Sequence, residues 1–396
     1  MVTAAAFRDR FELPEGVTYL DGNSLGPLTR DAALAIREMT WNQWGKDLIA
    51  SWNKHDWFGA PERVGNLIAP LIGAADGEVV VADSVSVNIF KLAAAALVAQ
   101  PGRRIILSEP GNFPTDLYMI EGLKRLRPDV ELRLVRRENM ADALSDEVAL
   151  LLLTHVHYKT AEMFDMDGLT KAAQAVGALT LWDLSHSVGA VPVDLNHAGA
   201  DLAVGCGYKY LNGGPGAPAF LYVARHLQEK LASPLSGWMG HAAPFDFTDA
   251  YEPAADIARW RAGTPPMISL TALEAAVKLM READFSDLVH CSHILTDAFI
   301  EGVEAKCADL TLISPRDATQ RGSHVSFAHD HSFEIMQALI AEGVVGDFRT
   351  PDALRFGFAP LYNSMDDVER AVAVLAGIMD SGRWRDPRFA KRSKVT

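Results

Sequence analysis

Residues 179–216 read LTLWDLSHSVGAVPVDLNHAGADLAVGCGYKYLNGGPG, and this stretch decides the fold. An apolar run, 178–182, ends in Asp183, and a second run, 202–204, leads through small residues to Lys209. Short apolar runs bounded by turn residues are typical of buried strands in a parallel sheet. Ligands of such sheets bind beyond the carboxyl ends of the strands, so we expect Asp183 and Lys209 to share one site.

A lysine and a carboxylate in one buried site are what pyridoxal phosphate (PLP) chemistry needs. The lysine forms a Schiff base, and the carboxylate keeps the pyridine nitrogen protonated so that the ring can accept electrons. The spacing alone leaves a simpler interpretation open, namely a surface lysine and a strand-end aspartate, because many α/β proteins carry such a pair.

The sequence around the pair resembles that of the kynureninase family, which are PLP-dependent hydrolases with the aspartate-aminotransferase fold. The similar segments are SHSVGAVPVDL (185–195), GYKYLNGGPG (207–216), YLDGNSLGPL (19–28), NFPTDLY (112–118) and APLYNSMDDV (359–368). They follow the order of the family and extend over nearly the whole chain. The strings YKYLN and GNSLG are the most specific of them.

Composition limits the class of protein. The chain has 396 residues, of which 49% are hydrophobic, enough for a large core and two domains. A net charge of −14 gives no electrostatic basis for binding nucleic acid or an anionic membrane. Three scattered cysteines suit a reducing cytosol. With no signal-peptide profile and no apolar run of membrane-spanning length, we expect a cytoplasmic protein.

Strand and helix patterns alternate from about residue 61 to 223, which predicts right-handed crossovers and a mostly parallel sheet. With the resemblance, this indicates an α/β protein of PLP fold type I, with a large domain and a smaller α+β C-terminal domain. The predicted ranges are 1–50 for the N-terminal arm and helix, 51–283 for the large PLP-binding domain, and 284–396 for the small domain. Individual predictions include helices over 29–44, near Asp142 and over 224–232, and one strand over 344–348.

A serine-containing turn, 83–86, precedes an Ala-rich helix. Free N–H groups and the helix dipole at such a terminus favour a phosphate, although an ordinary N-cap gives the same pattern. Phe113 follows another strand and is either a ring that stacks on the pyridine or a core residue. His155 and His157 would lie on one face of a strand, but no third ligand is nearby, so we expect no metal.

The resemblance implies which residues bind the cofactor. His186 would lie beside it, although a lone histidine is more commonly structural. Trp238 is alternatively only a surface anchor. In this fold the loop with Thr264 commonly crosses from the partner subunit, so we expect a homodimer with shared active sites. The implied cofactor-binding residues are Val85, Ser86, Phe113, Asp116, Thr154, Asp183, His186, Tyr208, Lys209, Trp238 and Thr264.

The implied activity is hydrolysis of L-kynurenine to anthranilate and L-alanine, in tryptophan catabolism or pyridine nucleotide biosynthesis. Lys209 would act as general base and acid, and Asp183 would keep the ring an electron sink. Tyr208, through the phosphate, is a candidate for activating water. Arg355 would hold the substrate carboxylate, because a fixed guanidinium binds a carboxylate with two hydrogen bonds.

The preference for one aromatic ring of the substrate over another is predicted from a less specific sequence match. In animal members of the family a histidine and an asparagine occupy positions that match Trp52 and Gly263-Thr264 here. An indole has no acceptor and glycine adds no polar side chain, so 3-hydroxy-L-kynurenine should be the weaker substrate. Trp57 is an alternative match, and Trp52 is alternatively a core residue.

Two other functions stay open from the sequence. One is another fold type I PLP enzyme, a cysteine desulfurase or an aminotransferase. A desulfurase needs a cysteine on a mobile loop, whereas Cys291 and Cys307 lie in or just after predicted helices. The other is a PLP-binding protein without catalytic activity.

Overall fold

The computed structural model describes residues 5–392, so the outermost residues of the predicted arm and small domain, 1–4 and 393–396, lie outside the described residues. The strands are β1 (Thr18–Tyr19), β2 (Val79–Val81), β3 (Ile105–Ser108), β4 (Glu131–Leu134), β5 (Val148–Thr154), β6 (Leu179–Asp183), β7 (Leu202–Gly205), β8 (Phe220–Val223), β9 (Thr311–Leu312), β10 (His324–Ala328), β11 (Val344–Val345), β12 (Asp347–Arg349) and β13 (Ala353–Gly357). The α-helices are α1 (Arg30–Glu38), α2 (Ser51–Lys54), α3 (Ala60–Ile68), α4 (Val85–Ala99), α5 (Pro114–Leu126), α6 (Met166–Ala175), α7 (Leu195–Ala198), α8 (Met267–Met280), α9 (Phe285–Lys306), α10 (Ser332–Ala341) and α11 (Met365–Ser381).

A seven-stranded sheet forms the large layer, in the order β2-β8-β7-β6-β5-β3-β4. Strands β7, β6, β5, β3 and β4 pair in parallel, and β8 is antiparallel to both of its neighbours. The three central strands β5, β6 and β7 are almost entirely buried, as expected when helices cover both faces of a parallel sheet. Their carboxyl ends therefore meet at one edge.

Helix α4 lies against this sheet and packs on β5, β6, β7 and β8. Its run of buried alanines, 93–96, lets the helix approach the strands closely. Because a crossover helix after a parallel strand starts at the carboxyl edge, the N-terminus of α4 lies at the edge where β5, β6 and β7 end.

The C-terminal part is built on a four-stranded antiparallel sheet, in the order β12-β13-β10-β9. Its buried apolar residues form a cluster with α9, α10 and α11, separate from the cluster around the large sheet. The predicted fold class is confirmed. The two clusters are consistent with the predicted boundary near residue 284, which stays a proposal.

The N-terminal segment joins the C-terminal part. Strand β1 pairs in parallel with β11, with Thr18 opposite Val344, and Leu20 is buried in the C-terminal cluster. The arm therefore connects the first residues of the chain to its last third.

Four predicted elements differ in the structure. The helix predicted over 29–44 is α-helical only to Glu38 and continues as a π-helix, Met39–Asp47, for which an apolar pattern has no signal. The helices near Asp142 and over 224–232 are 3₁₀ turns, Arg137–Asn139 and Arg225–Leu227.

The single strand predicted over 344–348 is divided at Gly346 into β11 and β12, which belong to different sheets. A Cβ atom on Gly346 would lie 2.8 Å from the Arg355 carbonyl oxygen, so the glycine allows two backbones to approach where the chain changes sheet. No helix within residues 5–392 is both long and apolar enough to cross a membrane.

Candidate active site

A cavity of about 170 Å³ lies at the carboxyl edge of the large sheet. It is bounded by the ends of β5, β6 and β7, the start of α4 and the loop before α5. The residues that line it are Ser84, Val85, Ser86, Phe113, Thr115, Thr154, Tyr158, Asp183, Ser185, His186, Cys206, Tyr208, Lys209, Ala217 and Ala219. Eight of the residues predicted to contact a cofactor are therefore brought together: Val85, Ser86, Phe113, Thr154, Asp183, His186, Tyr208 and Lys209.

Lys209 follows β7 and is 9% exposed, so its amino group lies in a nearly dry site. Its Nζ atom is 2.9 Å from Nε2 of His186. The rings of Phe113 and Tyr208 lie 5.7 and 5.8 Å from the same Nζ atom. The lysine is thus held by a histidine and two aromatic rings, and no carboxylate within residues 5–392 forms a salt bridge with it.

Asp183 is the last residue of β6, and its Oδ1 atom accepts a hydrogen bond from the backbone N–H of Ser185 at 2.7 Å. Burial raises the pKa of Asp183, while the Ser185 hydrogen bonds and the charge of Lys209 act in the opposite direction. A buried carboxylate of this kind is stabilised by any cation that enters the cavity.

Asp116 does not line the cavity but lies behind Thr154, whose hydroxyl donates to Asp116 Oδ2 at 3.2 Å. Its other oxygen, Oδ1, is buried and has no hydrogen-bond partner among the described residues. Burial, and then repulsion from Asp183, raise the pKa of Asp116 well above its ordinary value. One buried carboxylate, Asp183, therefore lines the cavity, and a second, Asp116, lies behind Thr154.

The N-terminus of α4 offers hydrogen-bond donors to the cavity, in contrast to the carboxylates of Asp183 and Asp116. Ser84 caps this helix, and its hydroxyl accepts from Val87 N at 3.4 Å. The hydroxyl groups of Ser86 and Thr115 are 2.7 Å apart. Backbone N–H groups at a helix start and two hydroxyls are suitable partners for an anion such as a phosphate.

Asp83, just before this cap, has a left-handed backbone with φ of 52°. Its Oδ2 atom accepts from Nζ of Lys91, which is fully buried, at 2.6 Å. The same amino group donates to the carbonyl of Trp260 at 2.8 Å. Lys91 therefore ties the turn before α4 to the segment that leads to Gly263 and Thr264.

Burial keeps two further histidines neutral, because it lowers the pKa of His155 and of His157 to about 4. His155 Nδ1 is 3.0 Å from the hydroxyl of Ser187, and His157 Nε2 is 3.0 Å from the carbonyl of Gly111. Within residues 5–392 no three His, Cys, Asp or Glu side chains are arranged to hold a metal ion.

Arg355 is buried directly behind the cavity wall, where it donates to the backbone carbonyl of Tyr158. It also donates from Nε to Asp347 Oδ1 at 2.7 Å, from a second nitrogen to Asp347 Oδ2, and to the hydroxyl of Ser24 at 2.9 Å. The guanidinium charges of Arg355 and Arg349 hold the pKa of Asp347 at about 2. Within this chain the predicted carboxylate-binding arginine is thus already paired.

Besides Asp116 and Arg355, four predicted contact residues lie outside the cavity of the single chain. Trp238, Gly263 and Thr264 are exposed, and Trp52 is half-buried with its ring edge-on to Trp57 at 5.8 Å. Their predicted roles stay predictions, and those of the 263–264 loop presuppose a partner subunit.

The sequence interpretation missed several residues at the site. They are Thr115, Tyr158, Ser185, Cys206, Ala217 and Ala219 in the cavity, and Asp347 and His324 behind it. Ser185 and Cys206 could have been found, because each lies within two residues of a predicted strand end. Asp347 and His324 come from the C-terminal sheet, whose position relative to the cavity is set by tertiary packing.

The residues of the cavity fit PLP. The unpartnered Oδ1 of Asp116 and the buried Asp183 suit a protonated pyridine, the start of α4 suits a phosphate, and Lys209 suits an aldehyde. These three kinds of group line or border one cavity.

Solved structures with the same fold include a cysteine desulfurase from Thermococcus onnurineus NA1, with a TM-score of 0.81 and 19% identity over 96% of this chain and 99% of that chain. A cysteine desulfurase from Escherichia coli has a TM-score of 0.80 and 20% identity, and the match covers 95% of this chain and 98% of that chain. A third, a C-DES mutant with glycine covalently linked to its PLP cofactor, has a TM-score of 0.81 and 17% identity, over 93% and 98%. The fold is therefore that of the fold type I PLP enzymes.

Sequence relatives give the particular family. A family model of the kynureninase C-terminal domain matches residues 288–375. A kynureninase of Burkholderia pseudomallei (strain 1106a) is 51% identical, over 99% of this chain and 96% of the relative. A kynureninase of Pseudomonas fluorescens is 48% identical over the same shares. The chain belongs to the kynureninase family.

Proposed function

We propose that the protein binds PLP and hydrolyses L-kynurenine, and more weakly 3-hydroxy-L-kynurenine, to anthranilate and L-alanine. The single observation that carries the proposal is the cavity that joins Lys209, Asp183 and the start of α4. Family membership, at 51% identity over nearly the full chain, supports the substrate.

In this proposal Lys209 would hold the cofactor covalently, and Asp183, backed by Asp116, would pair with the pyridine nitrogen. The N–H groups at Val85 and Ser86, with the Ser86 hydroxyl, bind the phosphate, because the helix dipole and the free donors favour an anion there. When bound, PLP supplies an electron sink that stabilises negative charge on the carbon skeleton of the substrate.

Proton movement is the task of the side chains around the amine. The amino group of Lys209 would take the proton from Cα of the substrate and return a proton later. His186, whose Nε2 atom lies 2.9 Å from Nζ, orients that amino group. Phe113 covers the site, and its contact with Tyr158, at 5.2 Å between ring centroids, fixes its position.

Cleavage also needs water at the γ-carbonyl of the substrate, and Tyr208 is the proposed group that would activate it. Burial raises the pKa of Tyr208 above its ordinary value, so the phenol is protonated at neutral pH. It therefore acts as a hydrogen-bond donor until a neighbouring base accepts its proton.

Arg355 is the proposed partner of the substrate carboxylate. It has two strong contacts to Asp347, so the carboxylate must share the guanidinium with Asp347 or displace Ser24 and the Tyr158 carbonyl. Desolvation of the pair makes such an exchange costly unless the incoming group is itself charged.

Desulfurase activity is less well supported, although the similar folds belong to desulfurases. Cys206 is buried at the end of β7, Cys291 lies within α9, and Cys307 ends α9. These cysteines are held in regular structure or in the core, which does not suit a thiol that must move.

We also propose a cytoplasmic homodimer with shared active sites. Large apolar side chains are exposed around the π-helix, among them Trp41 at 73% and Ile49 at 80%. A second group, with Phe245 and Phe247, lies beside Trp238. Exposed apolar surface of this extent is typical of an interface, and a partner there would support the role of the 263–264 loop.

The direct experiment adds L-kynurenine to the purified, PLP-loaded protein and follows anthranilate fluorescence, with alanine measured in parallel. The two products should appear in equal amounts. Lys171→Ala, at an exposed lysine of α6, is the matched control for Lys209→Ala and should leave the rate unchanged. Formation of sulfide from cysteine, without anthranilate, would instead support desulfurase activity.

A further inference from the structure

His324, the first residue of β10, is a buried titratable residue for which the proposed reaction has no role. Its side chain is fully buried, yet neither ring nitrogen has a hydrogen-bond partner among the described residues. Leaving a buried donor or acceptor unsatisfied costs about 1–3 kcal/mol. Two such atoms in one ring carry a cost that indicates a functional role for His324.

The nearest polar ring is that of His186, which lines the cavity. The two ring centroids are 5.2 Å apart, with the planes tilted by 55°. Nδ1 of His186 is also buried and unpartnered within the described part of the chain, while its Nε2 atom lies 2.9 Å from Nζ of Lys209. Lys209, His186 and His324 form a continuous series of side chains from the cavity to the C-terminal sheet.

The hydrogen-bond requirements of this series depend on one another. When Lys209 is an ammonium group it can only donate, so Nε2 of His186 must accept and the ring proton must lie on Nδ1. That N–H then requires an acceptor. A neutral His324 offers one lone pair, and a single water molecule between the two rings would link it to that N–H.

Both rings are held neutral by their surroundings. Burial is the largest cause that lowers the pKa of each ring, with Lys209 and Arg355 contributing to both. The other charged or titratable groups that act on them are His324 and Arg349 on His186, and Asp347 and His157 on His324. Only Asp347 favours a charged ring, and it is paired with Arg355.

We propose that His324 is a positioning residue for Lys209: it accepts a hydrogen bond from one water molecule that itself accepts the Nδ1–H of His186, and thereby fixes the tautomer whose Nε2 atom faces the lysine. The inference rests on the proposed use of Lys209 as the cofactor-binding and proton-transferring amine. It adds a residue of the C-terminal sheet to the control of that amine.

The strand register gives this contact a further consequence. His324 is opposite Gly357 and Ser326 is opposite Arg355, so the histidine and the proposed carboxylate-binding arginine lie on adjacent strands. A movement of this sheet that brings Arg355 to a carboxylate would also change the acceptor available to His186. Substrate binding and the proton affinity of Lys209 are therefore coupled in the proposal.

The first test is the tautomer itself, in apoprotein that contains ¹⁵N-labelled histidine. The ¹⁵N shifts of the ring nitrogens, assigned with His186→Gln, should report a proton on Nδ1 of His186. A proton on Nε2 would overturn the proposal. This measurement needs neither cofactor nor substrate, so its outcome is independent of whether anthranilate is formed.

The second test compares His324→Phe, which removes both ring nitrogens at similar volume, with His324→Gln, which keeps a donor and an acceptor. In the PLP-loaded protein, the midpoint of the pH titration followed by cofactor absorbance should shift about tenfold in proton affinity, roughly one pKa unit, in the Phe variant. The Gln variant should restore the wild-type midpoint.

Thermal stability separates the proposed positioning role from a purely structural one, in which loss of His324 would lower stability without shifting the titration. The Phe variant replaces unpartnered polar atoms by apolar ones, so its thermal stability should equal or exceed that of the wild type while the titration shifts. His290→Gln, at an exposed histidine of α9, is the control and should change neither quantity. An unshifted midpoint in His324→Phe would overturn the proposal.

Discussion

At the scale of single residues, Lys209 is the one side chain that the proposed chemistry cannot replace. Lys209→Ala should remove the visible absorbance of the bound cofactor and essentially all anthranilate formation, because no other amine is among the residues that line the cavity. The measurement is borohydride reduction followed by mass spectrometry. A reducible protein–PLP link that persists in the variant would assign the cofactor to another lysine.

The two buried aspartates predict a pH dependence for the apoprotein. Their pKa values are raised, so the folded apoprotein binds more protons than the unfolded chain. Their contribution to stability is fully present below about pH 4, near the ordinary pKa of aspartate, and is lost as the pH rises through the raised values.

Asp116→Asn should therefore stabilise the apoprotein at pH 8 by about 1 kcal/mol or more, since one unit of pKa shift corresponds to about 1.4 kcal/mol. The advantage should disappear near pH 4. Denaturant unfolding at both pH values measures it, with Asp142→Asn, on the surface, as the control. An equal advantage at both pH values would contradict the electrostatic explanation.

Substrate choice is the third prediction at this scale. A pocket that offers the ring hydroxyl no polar partner should give L-kynurenine a kcat/KM at least about tenfold above that of 3-hydroxy-L-kynurenine. Trp52→His should reduce this ratio, whereas Trp57→His tests the alternative match. Equal wild-type values, or a preference for the hydroxylated compound, would mean that Trp52, Gly263 and Thr264 do not define the ring pocket.

At the scale of elements, the antiparallel register of β12 and β13 places Asp347 opposite Arg355. Arg355→Gln should lower kcat/KM for L-kynurenine about 10- to 100-fold, the effect of losing a charged hydrogen bond of about 1.5–3 kcal/mol. Arg349→Gln is the matched control, because it removes a neighbouring guanidinium that also contacts Asp347.

The variant also leaves Asp347 buried with a weaker partner, so a loss of stability accompanies the loss of activity. PLP affinity, measured on the folded fraction, should stay unchanged. This measurement separates the loss of substrate binding from the loss of stability. If Arg349→Gln alone lowers kcat/KM, the substrate carboxylate is bound by Arg349.

The helices and strands also show how much of the fold could be predicted from the sequence. Apolar runs located β6 and β7 to within a residue or two, and because parallel strands end at one edge, Asp183 and Lys209 could be assigned to one site. The π-helix and the division at Gly346 could not be predicted, because backbone hydrogen bonding and sheet exchange leave no periodic signal in the side chains.

The same limit applies to the site. Val85, Ser86 and Phe113 could be predicted because each lies just beyond a strand or at a helix start. His324 and Asp347 could not, because their proximity to the cavity depends on how the C-terminal sheet docks on the large one. The Asp347–Arg355 contact is likewise invisible in a sequence interpretation that considers the arginine alone.

At the scale of the whole molecule, the exposed apolar surface predicts association. The wild type should have a mass in solution twice that of its 43.1 kDa chain. Trp41→Asp with Ile49→Asp should give a monomer, because a charge in an apolar interface loses its hydration without compensation. Light scattering coupled to gel filtration measures the mass.

Leu126→Asp, at an exposed leucine at the end of α5, is the control and should remain a dimer. If the monomeric variant still binds PLP but loses activity, the result supports a loop supplied by the partner subunit. A wild-type monomer with full activity would contradict the shared site.

The pairing of β1 with β11 has a consequence for biosynthesis. Thr18 must wait for Val344, more than three hundred residues later, before its strand has a partner. At about 5–20 residues per second, translation takes on the order of tens of seconds to produce that partner. The segment with Thr18 is therefore synthesised long before it can be ordered, and Leu20, buried in the finished protein, stays exposed meanwhile. We expect the nascent arm to be a binding site for chaperones until release of the C-terminal sheet.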